Sequence, residues 1–475
     1  MSIQEVETRV LRPERFEEVL PADHYQSFAQ AMQQARELFA GRKVWNINST
    51  AAGGGVAEML HSLIPYAQGI GVDARWLVIG GDAPFFRVTK RIHNFLHGAT
   101  GDGGDLGDAE REIYESTLAD DGKEIRSIVS AEDVVIVHDP QPAGLVDDLK
   151  EIGASVIWRC HVGLDMPTDV SRKAWHFLLP YVRRADALVF SRQEFAWEDV
   201  DGSKIEIIRP SIDAFSPKNQ ELDERTVNAV LLQTGLMSGL DSSGTPTYVR
   251  PDGTTAEVDR KARYIDGGEP PPGDARIVLQ VSRWDRLKDP VGVIDGFARH
   301  VADAADDAHL IVAGPAVEAV ADDPEGAEVV EEAVAAWRAL EDPVKERVHL
   351  ASLPMDDGAE NAAIVNALQR RADIVVQKSL AEGFGLTVAE AMWKARPVVA
   401  SRIGGIQDQI EDGRTGVLIH DPKDLSEYGG AVASLLNDPD RAEEIGRAAH
   451  LRVRDEFLGP RHLTDYLELI AKRDL

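Results

Sequence analysis

From Val44 onward, short apolar runs alternate with longer stretches in which apolar positions recur every three to four residues. VWNIN (44–48) reads as a buried strand, followed by a glycine-rich loop and a helix from about Val56. ARWLVIGG (74–81), DVVIVH (133–138), ASVIWRCH (154–161), ALVF (187–190) and KIEIIRP (204–210) are further strands, separated by apolar or helical segments. Runs apolar on both faces, alternating with helices, predict a parallel sheet covered on both sides. The pattern restarts at ARIVLQVS (275–282) and continues through HLIVAG (309–314), RVHLASL (347–353), IVVQ (374–377), PVVAS (397–401) and GVLI (416–419). The expected fold class is therefore α/β, with two doubly wound units.

The flanking segments break this rhythm. Phe28, Met32, Ala35, Leu38 and Phe39 recur at helical spacing, so an amphipathic helix closes an N-terminal extension. Residues 236–274 are rich in Gly, Ser, Pro and Asp and read as a surface flap, with a hairpin in TYVRPDGTTAEV (247–258) around Pro251-Asp252-Gly253. The final helices run from about Leu425 with a break at Gly459-Pro460. The expected domains are a helical extension (1–43), an N-terminal domain (44–215), an interdomain helix and hairpin flap (216–274), a C-terminal domain (275–457) and a C-terminal helix (458–475) packing back on the N-terminal domain.

A chain of 475 residues has room for two large α/β domains. Lys and Arg number 51 against 81 Asp and Glu, a net charge of −30. That field disfavours nucleic acid and anionic membrane as partners, and a small anionic substrate would need a local basic clamp. The acidic runs DAADDA (303–308) and ADDPEGAEVVEE (321–332) read as solvated loops and helix faces. A single cysteine, Cys160, excludes an intrachain disulfide and a cysteine-based zinc cluster. MSIQEVETRV has no leader-like pattern, and no apolar run approaches the ~18 residues of a membrane span, so a cytoplasmic location is expected.

Four segments carry candidate chemistry. In NSTAAGGGVAEML (48–60), Gly53, Gly54 and Gly55 allow close backbone approach, and the helix start offers N–H groups to an anion. The string is neither G-x-G-x-x-G nor a Walker loop, and a tight strand–helix turn explains it equally well. SRWDRLKD (282–289) puts Arg283 and Lys288 just beyond the carboxyl end of a strand, where two cations can neutralise a diphosphate. SLAEGFGLTVAEAMWKARPVV (379–399) places Glu382 on a loop marked by Gly383 and Gly385, and Glu390 one turn inside a helix from Leu386. The amides between them suit phosphate or sugar oxygens, and Glu390 can accept from ribose hydroxyls. WRCHVGLD (158–165) ends a strand with Cys160 and His161 on opposite faces, which rules against a Cys–His nucleophile and leaves His161 as a core residue or a substrate contact. Asp102, Asp105 and Asp108, and the pair Asp199 and Asp201, read as loop residues, so no metal site is expected.

Two such domains with E-x7-E in the second resemble the GT-B glycosyltransferases, specifically the retaining, nucleotide-sugar-dependent family 4. EGFGLTVAE carries the E-x7-E motif, and Arg283, Lys288, His161 and the loop at Gly53–Gly55 match the family's donor-side positions. NINSTAAGGGVAEMLHSLIPY, RWLVIGG, FFRVTKRIHNFLHG, VHDPQPAGL, WRCHVGLD, QVSRWDRLKD and GGIQDQIEDGRTGVLI are similar to strings of the glycosyl-transferring trehalose synthases, over roughly 40–235 and 275–470. The resemblance implies two Rossmann-like domains facing across a cleft. It implies transfer of glucose from a nucleoside-diphosphate-glucose to the anomeric hydroxyl of free glucose, giving α,α-trehalose with retention by a front-face mechanism. Arg283 and Lys288 would stabilise the leaving diphosphate, Glu382 and His161 would hold donor hydroxyls, and Glu390 would hold ribose. Gly54, Gly55, Gly383, Phe384, Gly385, Leu386 and Thr387 would complete the donor site. Asn48, Lys90, His93, Asn94, Asp139 and Gln141 are the acceptor candidates, although Lys90, His93 and Asn94 equally suit structural helix positions. No tightly bound cofactor is implied, with Mg²⁺ at most stimulating alongside the nucleotide, and a homodimer is allowed for. Retaining trehalose phosphorylases carry similar strings, which leaves donor and direction open; a non-catalytic sugar or nucleotide sensor is a further alternative.

Overall fold

The apolar runs form two sheets, each parallel apart from one short antiparallel edge strand. The computed structural model describes residues 3–265, 267–316 and 324–475. The chain divides into two units, Met1–Ser211 with Phe457–Leu475, and Ile212–Glu456. Among the described residues each unit holds one seven-stranded sheet, as the α/β reading requires, and no helix is long and apolar enough to cross a membrane.

In the first unit the strands are β1 (Gln4–Glu5), β2 (Lys43–Asn48), β3 (Asp73–Val78), β4 (Val134–His138), β5 (Ser155–Cys160), β6 (Ala187–Phe190) and β7 (Ile205–Ile207). Their order is β1-β3-β2-β4-β5-β6-β7. Strand alternation sends Trp45, Ile47, Val135, Val137, Trp158, Cys160 and Phe190 to one face, where they join the main core of this unit. Trp158 is wholly buried there, so truncation to Ala would cost about 3–5 kcal/mol. The opposite face is mixed. It presents Val44, Asn46, Ala74, Ile136 and His138 to the helices Ala22–Leu38, Gly54–Ile70 and Gly459–Arg473, with a cavity of about 90 Å³ between.

In the second unit β8 (Thr247–Val249) and β9 (Thr255–Glu257) form the expected hairpin. The sheet comprises β10 (Arg263–Tyr264), β11 (Arg276–Val281), β12 (Ala308–Pro315), β13 (Val348–Leu353), β14 (Ile374–Gln377), β15 (Val398–Ser401) and β16 (Val417–Ile419). Their order is β10-β13-β12-β11-β14-β15-β16. In both sheets the strand order reverses once, between β2 and β4 and between β11 and β14. Loops leaving adjacent strands diverge at such a switch point and open a ligand crevice at the carboxyl ends.

Three local expectations need correction. The N-terminal extension carries a strand as well as a helix, because β1 pairs with β3 through Gln4 and Glu5. The 236–274 stretch is tied into its unit rather than lying loose. β10 pairs with β13, Gln220 exchanges two amide hydrogen bonds with the backbone of Val249 at 2.9 Å, and Arg250 meets Asp357 at 2.7 Å. The last helix begins at Gly459, so the break lies at Phe457-Leu458, and Pro460 occupies a first-turn position that needs no N–H. The run 303–308 exposes Asp303, Asp306 and Asp307; of the run 321–332, residues 321–323 lie outside the described residues.

Candidate active site

In the second unit the candidate residues lie on the two loops at its switch point. β11 exits into Ser282–Asp289, and β14 exits into Lys378–Gly385. The Leu380 N–H donates to the Leu287 carbonyl at 2.7 Å and ties the loops together. Asp289 sits at φ 52°, a left-handed conformation that a non-glycine residue adopts at a cost. Its carboxylate accepts from the Gly292 N–H at 3.0 Å, capping the next helix, and forms an ion pair with the wholly buried Lys378. Lys288, one residue earlier, is thereby held in place, and its carbonyl accepts from the Gln280 amide at 2.7 Å.

Lys288 Nζ lies 2.5 Å from Glu382 Oε2. The Gln377 amide and the Ser379 hydroxyl each lie 3.3 Å from the same oxygen. Arg283 is different: its side chain is 62% exposed, and Asp285 stands 3.5 Å from it. Gly383 and Phe384 lead to Gly385 at φ 80°, which caps the helix Leu386–Trp393. Thr387 is half-buried in its first turn. GGIQDQ supports this loop from below. The Gly405 N–H donates to the Gly383 carbonyl at 2.8 Å, and the Gln409 amide donates to the Phe384 carbonyl at 2.5 Å. Glu390 is buried, with Lys218 at 3.4 Å, so the two glutamates of the motif occupy unlike environments.

In the first unit β2 exits into the glycine loop and β4 into Asp139-Pro140-Gln141, again at the switch point. The helix begins at Gly54, two residues before the expected Val56, because Gly53 and Gly54 take φ values of 76° and 79°. Gly54 and Gly55 are exposed. The amide of Asn48, one of the acceptor candidates, is engaged within the protein. It is buried, its Oδ1 accepts from the Trp76 indole at 2.8 Å, and its Nδ2 donates to the Thr50 carbonyl at 2.7 Å, so it shapes the loop.

Asp139 sits at φ 66°, and its carboxylate accepts from the His161 N–H at 2.7 Å. Burial lifts its pKa to about 7 against that hydrogen bond. His161 Nε2 lies 3.1 Å from His138 Nδ1, and His138 Nε2 lies 3.0 Å from Asn46 Oδ1. Burial, with the Arg159 charge adding, drives the His138 pKa down to about 3 and that of His161 well below its usual value. Both imidazoles are therefore neutral near pH 7. Cys160 faces the core and donates to the Val162 carbonyl, and burial raises its thiol pKa, so it is no nucleophile. Gln141 is half-buried. Lys90, His93 and Asn94 lie on the helix Ala83–Leu96 after β3: Lys90 is exposed, and His93 meets the His97 ring edge-on at 4.9 Å.

Sequence reasoning missed the Asp289–Lys378 pair, the Gln377 and Ser379 contacts and the Asn46–His138 support. Asn46 and His138 did leave a signal, as polar residues inside otherwise apolar strands. Among the described residues no group of three or more His, Cys, Asp or Glu converges as a metal site. Asp102 instead pairs with Arg91 at 2.7 Å, and Asp201 accepts from the Ser203 N–H at 2.9 Å.

Residues 46–197 match the family model "Trehalose synthase, N-terminal domain", and 265–452 match "Glycosyl transferases group 1". The trehalose synthase of Rubrobacter xylanophilus is 37% identical over 93% of both chains. That of Pyrococcus horikoshii is 35% identical over 92% of both. The chain belongs to the trehalose synthase family. It is accordingly a GT-B hexosyltransferase of trehalose metabolism. A trehalose phosphorylase of Pleurotus pulmonarius is more distant, at 24% identity over 93% of this chain and 58% of its own. Among solved structures, an α,α-trehalose-phosphate synthase of Burkholderia vietnamiensis superposes with a TM-score of 0.67 over 91% of this chain and 99% of its own, at 14% identity, which shows the shared fold.

Proposed function

We propose that this family member is a retaining glucosyltransferase that joins glucose from a nucleoside-diphosphate-glucose to the anomeric hydroxyl of free glucose, giving α,α-trehalose. The observation that carries the reading is the Lys288–Glu382 pair at 2.5 Å, formed by two loops of one switch point beside the exposed Arg283. As the glycosidic bond breaks, charge grows on the β-phosphate oxygen. Cations already in place there bind the transition state more tightly than the ground state. Arg283 offers a planar fork for phosphate oxygens and Lys288 a point charge.

Glu382 has Oε2 engaged by Lys288, Gln377 and Ser379, which supports a role in holding glucose hydroxyls rather than attacking carbon. The leaving phosphate then takes the acceptor proton on the same face. Amides of Gly383, Phe384, Gly385, Leu386 and Thr387 serve sugar and phosphate oxygens at the helix start. Glu390 serves ribose, in competition with Lys218. On the first unit, the Gly54 and Gly55 amides serve phosphate, neutral His161 a donor hydroxyl, and Asp139 and Gln141 the acceptor. The higher identity to synthases than to phosphorylases supports this donor class.

The test incubates the protein with α,α-trehalose and either a nucleoside diphosphate or inorganic phosphate. A nucleoside-diphosphate-glucose formed only in the first mixture is expected. Glucose phosphate from inorganic phosphate alone would overturn the reading in favour of a phosphorylase.

A further inference from the structure

On the mixed face of the first sheet, Asn46 of β2 and His138 of β4 are buried polar residues, and such groups cost stability unless their polar atoms are paired. They pair with each other, and the chain of contacts continues to His161, the first residue beyond β5. His138 Nε2 lies 3.0 Å from Asn46 Oδ1, and His138 Nδ1 lies 3.1 Å from His161 Nε2. The two ring planes differ by 19°, and the ring centres are 5.4 Å apart. That separation is the N···N distance extended by one ring radius at each end. The imidazoles therefore meet nitrogen to nitrogen in nearly a common plane, so that a lone pair on one points along the N–H of the other, as a hydrogen bond requires.

The direction of each bond follows from where the protons can be. An amide oxygen carries none, so His138 Nε2 donates to Asn46. A neutral imidazole has a single N–H, so His138 Nδ1 is an acceptor and His161 Nε2 donates to it. His161 then has no proton left for Nδ1. This count holds while both rings are neutral. Burial keeps them so, and Arg159 adds to it: wholly buried on β5 and directly opposite His138, its charge disfavours a further proton on either ring. The backbone of His161 is fixed as well, since its N–H donates to the Asp139 carboxylate at 2.7 Å.

We propose that His138, oriented by Asn46, is a positioning residue that locks half-buried His161 in the tautomer with its proton on Nε2, so that Nδ1 presents a bare acceptor to a hydroxyl of the donor sugar. The role at the sugar rests on the glucosyltransferase reading; the tautomer does not. Each bond of the series polarises the next, so the bare nitrogen accepts more strongly than that of an isolated imidazole. The contact is also selective. A hydroxyl can donate to Nδ1, whereas a carbonyl or ether oxygen in its place would set two lone pairs against each other.

The test labels the protein with ¹⁵N-histidine and records long-range ¹H–¹⁵N correlations at neutral pH, with His138 and His161 assigned by single substitution. Both rings should show a protonated Nε2 and a bare Nδ1. This readout needs no substrate and stands whether the protein proves to be a synthase or a phosphorylase. Asn46→Leu removes the acceptor that sets the series; the fixed tautomer should be lost and kcat/KM should fall about 10-fold, the effect of one weakened hydrogen bond. Asn46→Asp keeps an acceptor at the same place and should retain the tautomer and most of kcat/KM, a rescue that a purely structural role for Asn46 does not require. Where Asn46→Leu fails to fold, the wild-type and Asn46→Asp spectra decide. A proton on Nδ1 of either ring in the wild type, a mixture of tautomers there, or loss of the tautomer in Asn46→Asp overturns the proposal. So does an Asn46→Leu variant that keeps the tautomer, or one that loses it with kcat/KM unchanged.

Discussion

Lys288 and Glu382 are 94 positions apart in the chain, yet their side chains meet at 2.5 Å. The contact exists because β11 and β14 are neighbours at the switch point, so loops distant in sequence leave the sheet side by side. Charges that act as a unit are not additive on removal. Lys288→Ala should lower kcat by about 10²–10³, the effect of losing one preorganised donor. Glu382→Gln should also impair turnover, and the double variant should be little worse than the poorer single one. Steady-state kinetics on the cycle check this; full additivity would mean that the two residues serve separate steps.

Arg283 makes the opposite structural prediction. With a side chain 62% exposed, it holds little of the fold together. Arg283→Ala should shift stability by less than about 0.5 kcal/mol. It should nonetheless lower kcat by about 10²–10³ if it clamps the diphosphate. Arg283→Lys should recover only part, since an ammonium cannot reproduce a planar fork. Unchanged kcat with unchanged stability would make Arg283 an ordinary surface cation.

The strand pattern was legible because both sheets bury both faces, so their apolar runs stand out from the helices between. β1 and β10 were not legible, because two residues at a sheet edge carry no periodicity. Arg283, Lys288 and Glu382 could be placed at carboxyl ends of strands from the sequence, but their contacts required the strand order. At Asn48 the sequence leaves two readings open, because a polar residue at a strand end satisfies its amide internally as readily as it meets a ligand. Arg159 escaped notice because a single charge inside WRCH looks like any other strand residue until its burial is known.

Gly404 offers a test of the loop's support. It sits at φ 46°, and a Cβ there would lie 1.9 Å from the Glu382 carbonyl oxygen. Gly404→Ala should displace the Glu382 loop while leaving the two sheets intact. A displacement of about 1 Å at a positioned catalytic group can cost about 10²-fold in rate. Gly202→Ala is the control, since a Cβ there meets nothing within 4 Å and φ is ordinary. Circular dichroism and kcat/KM on both variants check the contrast; equal activity would show that the loop tolerates movement.

The buried histidines set the response to acid. His138, His161 and His462 in the first unit and His309 and His349 in the second all have pKa values lowered chiefly by burial, with His138 and His349 at about 3. In the unfolded chain each returns to roughly 6.5. As pH falls below that value the unfolded state takes up protons that the folded state refuses, so stability is lost. Asp121 and Asp139 oppose this. Burial raises them to about 6 and about 7, so the folded state holds protons that the unfolded state has released, and acid favours folding through them. The histidines outnumber these carboxylates, and stability should therefore fall from about pH 6.5 towards 4.5, by about 1.4 kcal/mol per pH unit for each excess proton. His138→Gln removes one such proton and should flatten the slope by that amount. Urea unfolding at half-unit pH steps measures both slopes; a wild-type stability that stays level or rises on acidification would show that these imidazoles are protonated in the folded protein.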